Sequence, residues 1–172
     1  MRRTVYSFVA LVLLAGALAA TRAGGVAAPP EPQLVTLPCA TEMYVQPLGQ
    51  TAPAAAEGQS LVLVRATFQP GGGIGPHTHP GTLIISVESG IFGFTPVDAG
   101  EMVAMRSGEA GTPAVEVPLT AGQEVELLPG DWIVEMGMVH TARAIGDEPA
   151  VVVFTGLIEA GQPLTTCVEG AS

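Results

Sequence analysis

The feature that most constrains this chain is how often its helix breakers recur: 22 glycines and 15 prolines are spread through 172 residues. Beyond residue 23, apolar runs are cut before they complete the three or four turns of a packed helix, which disfavours a bundle, coiled coil or helical repeat. Short strands joined by turns fit instead. Residues 61–68 (LVLVRATF) and 82–87 (TLIISV) read as strands, as do 91–97 and 132–134 (WIV). At 115–117 and 124–128 apolar and acidic residues alternate as in half-exposed strands, and 150–157 (AVVVFTGL) is a continuous apolar run suited to a buried one. Residues 46–59, with PAAAEGQ, read as a loop. The segment 98–114 fits either a hairpin extension or a loop over a barrel mouth. The expectation is an all-β sandwich or barrel.

The first 23 residues follow a different logic. Met1-Arg2-Arg3 precedes an apolar run at 5–20 and then small residues, the pattern of a secretory signal with cleavage after Ala19, Ala20 or Ala23. The run is short of the ~20 residues that span a bilayer comfortably, so an uncleaved anchor is the weaker reading. The expected organisation is a signal peptide at 1–23, an N-terminal linker and first strands at 24–58, a barrel at 59–160 and a C-terminal tail at 161–172. The location is then secreted or periplasmic, with no membrane attachment after cleavage.

There are 6 arginines, no lysine and 16 acidic residues. Because Arg2, Arg3 and Arg22 lie in the leader, cleavage after Ala23 takes the net charge from −10 to −13. A basic face for nucleic acid or anionic lipid is therefore not expected. Export also places Cys39 and Cys167 where thiols oxidise. One disulfide between them is the expectation, two buried free thiols the alternative.

The chain has three histidines, His77, His79 and His140. In an extended strand His77 and His79, one residue apart, point to the same face and converge on one ion. His140 follows a second apolar strand and a glycine turn (EMGMVH), from which it could supply a third ligand. By the same alternation Gly81, Leu83, Ile85 and Val87 share the face of His79, and Trp132, Val134, Met136 and Met138 approach the cavity from the other strand.

Gly71, His77-x-His79, position 83 and Gly90 have the spacing of the first cupin motif, G-x5-H-x-H-x3,4-E-x6-G. Gly130, Gly137 and His140 resemble the second, G-x5-P-x-G-x2-H-x3-N, with one residue fewer after Gly130, Glu135 at the proline and Ala144 at the asparagine. The sequence thus resembles the cupin superfamily over residues 60–158. The resemblance implies a double-stranded β-helix (jelly-roll) barrel holding a divalent transition metal (Fe, Mn, Cu, Ni or Zn) on His77, His79 and His140. It also implies a small-molecule ligand or substrate, and pairing as a homodimer.

The departure is Leu83, which stands at the glutamate ligand of the first motif. A three-histidine site keeps the full charge of the ion and leaves positions open, as in some dioxygenases of the superfamily. A metal-dependent dioxygenase or other oxidoreductase is one expectation; a non-catalytic metal- or ligand-binding cupin is the other. Of the remaining carboxylates, Glu88 falls on the opposite strand face, and Glu135 is the better substitute. Met138 offers a thioether near His140, and Arg65 either an anchor for an anion or a surface ion pair.

Overall fold

A computed structural model describes residues 35–98, 102–108, 112 and 114–170. The signal-peptide expectation and residues 24–34 of the linker lie outside them.

Alternating apolar residues become strands wherever a breaker ends the run. They are β1 (Ala40–Thr51), β2 (Gln59–Thr78), β3 (Gly81–Ser89), β4 (Ile91–Pro96), β5 (Met102–Arg106), β6 (Val115–Leu119), β7 (Val125–Leu127), β8 (Trp132–Glu135), β9 (His140–Ile145), β10 (Ala150–Glu159) and β11 (Thr166–Cys167). The sheet runs β6-β5-β8-β3-β10-β2-β9-β4-β7, with β1 and β11 also on β2, and every pairing is antiparallel. The sheet curls into the expected jelly-roll barrel. β2 makes this possible, because its first half pairs with β10 and its last residues pair with β9 and β11.

One face of each strand fills the interior: Val62, Val64, Ala66 and Phe68 from β2, Leu83, Ile85 and Val87 from β3, Phe92 and Phe94 from β4, Val152 and Phe154 from β10. Burying each larger side chain contributes roughly 1.5 to 3 kcal/mol. The β3–β10 contact depends on Gly156, where a Cβ would fall on the Thr82 carbonyl oxygen and 2.7 Å from the Leu83 Cδ2. Gly156→Ala should therefore cost ~1 to 3 kcal/mol by overpacking, read as a lower urea midpoint with an unchanged slope.

In the strands the structure differs from the sequence reading at one loop and decides between two readings of another segment. Residues 46–51 continue β1 rather than opening a loop. Pro47 and Gly49 are accommodated by a register shift between them on a strand whose other edge carries only the isolated bridge of Val45 to Val35, so a proline's missing N–H is tolerated there. Within 98–114 the hairpin alternative is the one found: residues 102–106 form β5, which pairs antiparallel with β6 and joins it to β8. Arg65 proves to be a surface ion pair, with Nε and Nη2 donating to Glu88 at 2.7 and 3.0 Å.

Cys39 and Cys167 form a disulfide across 128 residues. It ties the chain before β1 to β11, and both ends rest on the last turn of β2. Gly75 donates its N–H to the Cys39 carbonyl at 2.9 Å, and Cys167 pairs in register with His77.

Candidate metal centre

The three histidines arrive at one point from different elements. His77 is near the end of β2, His79 is in the two-residue link to β3, and His140 opens β9 directly across from His77. A register shift between Ile74 and His77 resets the pleat. Before it, even-numbered residues of β2 point inward; after it His77, His79, Leu83, Ile85 and Val87 do. The histidines are 3%, 8% and 1% exposed. Their ring centroids lie 4.2 Å (His77–His140), 5.1 Å (His77–His79) and 5.3 Å (His79–His140) apart. One nitrogen from each falls within 4.8 Å of the others, so the three could hold a metal ion.

The protonation pattern follows from hydrogen bonding. His77 Nδ1 lies 2.8 Å from the Gly75 carbonyl, His79 Nδ1 2.7 Å from that of Leu164, and His140 Nδ1 2.9 Å from that of Met138. A carbonyl only accepts, so each Nδ1 carries the proton and each Nε2 keeps its lone pair. Backbone acceptors of this kind are the usual support of histidine ligands. Burial lowers all three pKa values: His77 to about 4, with the neighbouring His79 adding to the effect, His79 below its ordinary value, and His140 well below it, with His77 adding to the effect. The rings are thus neutral at pH 7, the form that coordinates. Phe94 stacks on His140 at 4.7 Å between centroids. This donor set fits a divalent transition metal.

Beside the rings is a small apolar cavity of about 30 Å³, room for one or two water-sized molecules. Ile85, Phe68, Phe92, Val152 and Phe154 form much of its wall, and Thr165 is its one hydroxyl. Ile85 thus stands where the sequence placed it. Leu83 is wholly buried on the same strand face, in the core. Trp132 and Met136 are corrections. β8 pairs with β3 so that Glu135 faces Leu83 and Ile133 faces Ile85. Residues directly opposite share a sheet face, so Ile133 and Glu135 point in while Trp132 and Val134 point out. Gly137, at φ 79°, then turns the chain, and Met136 is left 57% exposed. Met138 is partly buried against the core, and its backbone carbonyl lies 2.9 Å from His140 Nδ1.

The sequence reading missed the Leu164 carbonyl and Thr165, because nothing in a tail sequence marks a backbone acceptor 85 residues from its partner. Phe94 was legible as a buried residue of β4, but not as the ring over His140.

No protein-family model matches this sequence, and no curated protein does. Solved structures do match. The L-ribose isomerase of Cellulomonas parahominis with L-psicose is 21% identical over 75% of this chain and 70% of that one, with a TM-score of 0.50. A cupin-like protein from Thermotoga maritima is 22% identical over 75% and 78%, with a TM-score of 0.39. The match to the isomerase shows a shared fold and nothing finer. The fold is the jelly-roll barrel that the motif resemblance led one to expect. In this barrel the position of the first motif's glutamate is filled by a core leucine, while a buried carboxylate, Glu135, stands directly across from it.

Proposed function

We propose that this cupin is an exported protein that holds one divalent transition metal (Fe, Mn, Cu, Ni or Zn) on the Nε2 atoms of His77, His79 and His140, and acts on a small organic molecule as a metal-dependent oxidoreductase of the dioxygenase kind. The observation that carries this is the set of three Nδ1–H groups, each engaged by a carbonyl, which leaves three neutral nitrogen donors on one point. An all-nitrogen neutral set leaves the charge of the ion uncancelled, so the metal supplies strong Lewis acidity and, where redox-active, electron transfer. The chain's own part is to orient the donors and keep bulk water from an apolar space, whose walls would have to move to take an organic molecule. Support for export comes from the disulfide; among the described residues no helix is long and apolar enough to cross a membrane.

A second reading, metal or ligand binding without turnover, is favoured by the cavity wall. Apart from the histidines it carries only Thr165 as a polar side chain, and so no second acid or base.

Calorimetric titration of chelator-treated protein tests the site. We expect one ion per chain and no measurable binding by His77→Ala or His140→Ala. Bound metal should stabilise the fold by about 2.7 kcal/mol at 100 times its Kd. A melting temperature indifferent to chelator, with unchanged metal content in His77→Ala, overturns the proposal. Oxygen uptake by the Fe and Cu forms with small diketones, thiols and phenolics separates the two readings: turnover supports the enzyme, and none with any of them supports the binder.

For homodimer pairing we assign the outer face formed by Leu61 and Leu63 of β2, Ile84 of β3 and Leu157 of β10. These residues are exposed and neighbours through the register of β10. On a chain of net charge −10 an uncharged face is where a second copy meets least repulsion.

A further inference from the structure

Glu135 is wholly buried, yet no described ligand or ion pair of ordinary length accounts for it. Its Oε1 accepts the Met138 N–H at 2.7 Å. Its Oε2 is the one buried side-chain nitrogen or oxygen among the described residues with no hydrogen-bond partner. Leaving such an atom unsatisfied costs on the order of 1 to 3 kcal/mol, and more for a charge. A leucine there, beside Leu83, would avoid that cost.

What the carboxylate does can be followed atom by atom. Oε1 holds the N–H of Met138, and the carbonyl of the same residue accepts the Nδ1–H of His140 at 2.9 Å. The turn between them contains Gly137 in the left-handed region, and Thr78 Oγ1, between the other two histidines, donates to the Gly137 carbonyl at 2.7 Å. Oε1 also lies 4.0 Å from His140 Nδ1. The carboxylate therefore approaches the nitrogen that faces away from the other histidines' free donors, and it is not one of the groups that converge.

We propose that Glu135 is a positioning residue for the metal centre: its carboxylate pins the 135–138 turn, the Met138 carbonyl fixes the His140 ring, and the ring thereby aims Nε2. The register places this carboxylate directly across from Leu83. The carboxylate that the motif resemblance leads one to expect as a ligand at 83 is thus replaced by one on the neighbouring strand that supports a ligand. This inference rests on the three-histidine reading above.

The test compares wild type, Glu135→Gln and Glu135→Leu, each stripped of metal and loaded with Co(II), read by calorimetric Kd and by the visible ligand-field spectrum. Glutamine keeps an oxygen acceptor for the Met138 N–H; leucine removes it and fits an apolar neighbourhood. Glu135→Leu should bind Co(II) 10- to 100-fold more weakly with an altered spectrum, while Glu135→Gln stays within about threefold of wild type with the wild-type spectrum. Thermal melts of the metal-free variants separate this from a purely structural role, which would lower their melting temperature without changing the spectrum. Wild-type affinity and spectrum in Glu135→Leu overturn the proposal. So does a Gln variant as impaired as Leu, or one whose spectrum shows a lost ligand. If wild type itself binds no Co(II), it is the three-histidine reading that fails.

Discussion

Replacing Cys39 and Cys167 with alanine should remove ~4 to 5 kcal/mol from the stability of the folded chain and lower its melting temperature by on the order of 15 °C. The disulfide closes 128 residues, and in the chain-entropy account a loop of that length is near the top of what a single cross-link contributes. The loss should extend to the metal centre. Cys39 accepts the N–H of Gly75, whose carbonyl holds His77, and Cys167 pairs with His77 three residues after the Leu164 carbonyl that holds His79. Both cysteines thus brace histidines whose Nδ1 partners would otherwise be free to drift. Denaturant unfolding of the double variant, with and without metal, checks this. A loss under 1 kcal/mol would mean that the sheet alone holds both terminal segments in place.

Acid should destabilise the metal-free protein between pH 6.5 and 4. Each histidine has a lower pKa folded than unfolded, so each contributes stability that is complete above the unfolded value of 6.5 and disappears as pH falls through the folded one. For His77, lowered to about 4, the difference is worth roughly 3 kcal/mol. Glu135 acts in the opposite direction. Burial raises its pKa to about 7, against the hydrogen bonds from Met138 and Gly137, so its contribution is complete below 4.5 and is lost as pH rises through 7. One carboxylate offsets about one histidine, and two histidines remain uncompensated. Melting temperature against pH should therefore fall on acidification, more steeply in Glu135→Gln and less steeply in His77→Leu. A flat profile from pH 7 to 4 in chelator-treated protein would mean that the rings are not buried as described.

Much of this was legible in the sequence because strand pleats have a period of two. Once His77 and His79 are assigned inward, Leu83, Ile85 and Val87 follow, and all three are buried. The same rule misled at β8, where alternation carried across the turn at Gly137 put Trp132, Val134 and Met136 in the inward phase of His140. Pairing with β3 settled it the other way, because the cross-strand partners of Leu83 and Ile85 are Glu135 and Ile133. Alternation fixes which residues share a face, while only a partner strand fixes which face is the inside. Glu135 was a candidate substitute ligand on the sequence; it lies outside the cluster of three histidines, 4.0 Å from His140 Nδ1, a placement that depends on the direction of a glycine turn. The carbonyls of Gly75, Met138 and Leu164 belong to no residue type in particular, so no motif could announce them.

The bond from His79 to Leu164, 85 residues onward, bears on when in the making of the chain the proposed metal site would be ready. A nascent chain that has reached the first motif offers only a pair of imidazoles on a flexible segment, with neither ring oriented. The third donor arrives at residue 140, and the last orienting carbonyl at 164, after most of the barrel strands have been made. An ion met early would find a weak and unselective chelate, whereas the finished barrel presents three aimed nitrogens. If the three histidines hold a metal as proposed, its choice would fall to the folded molecule and be made from whatever pool surrounds the protein where the barrel closes.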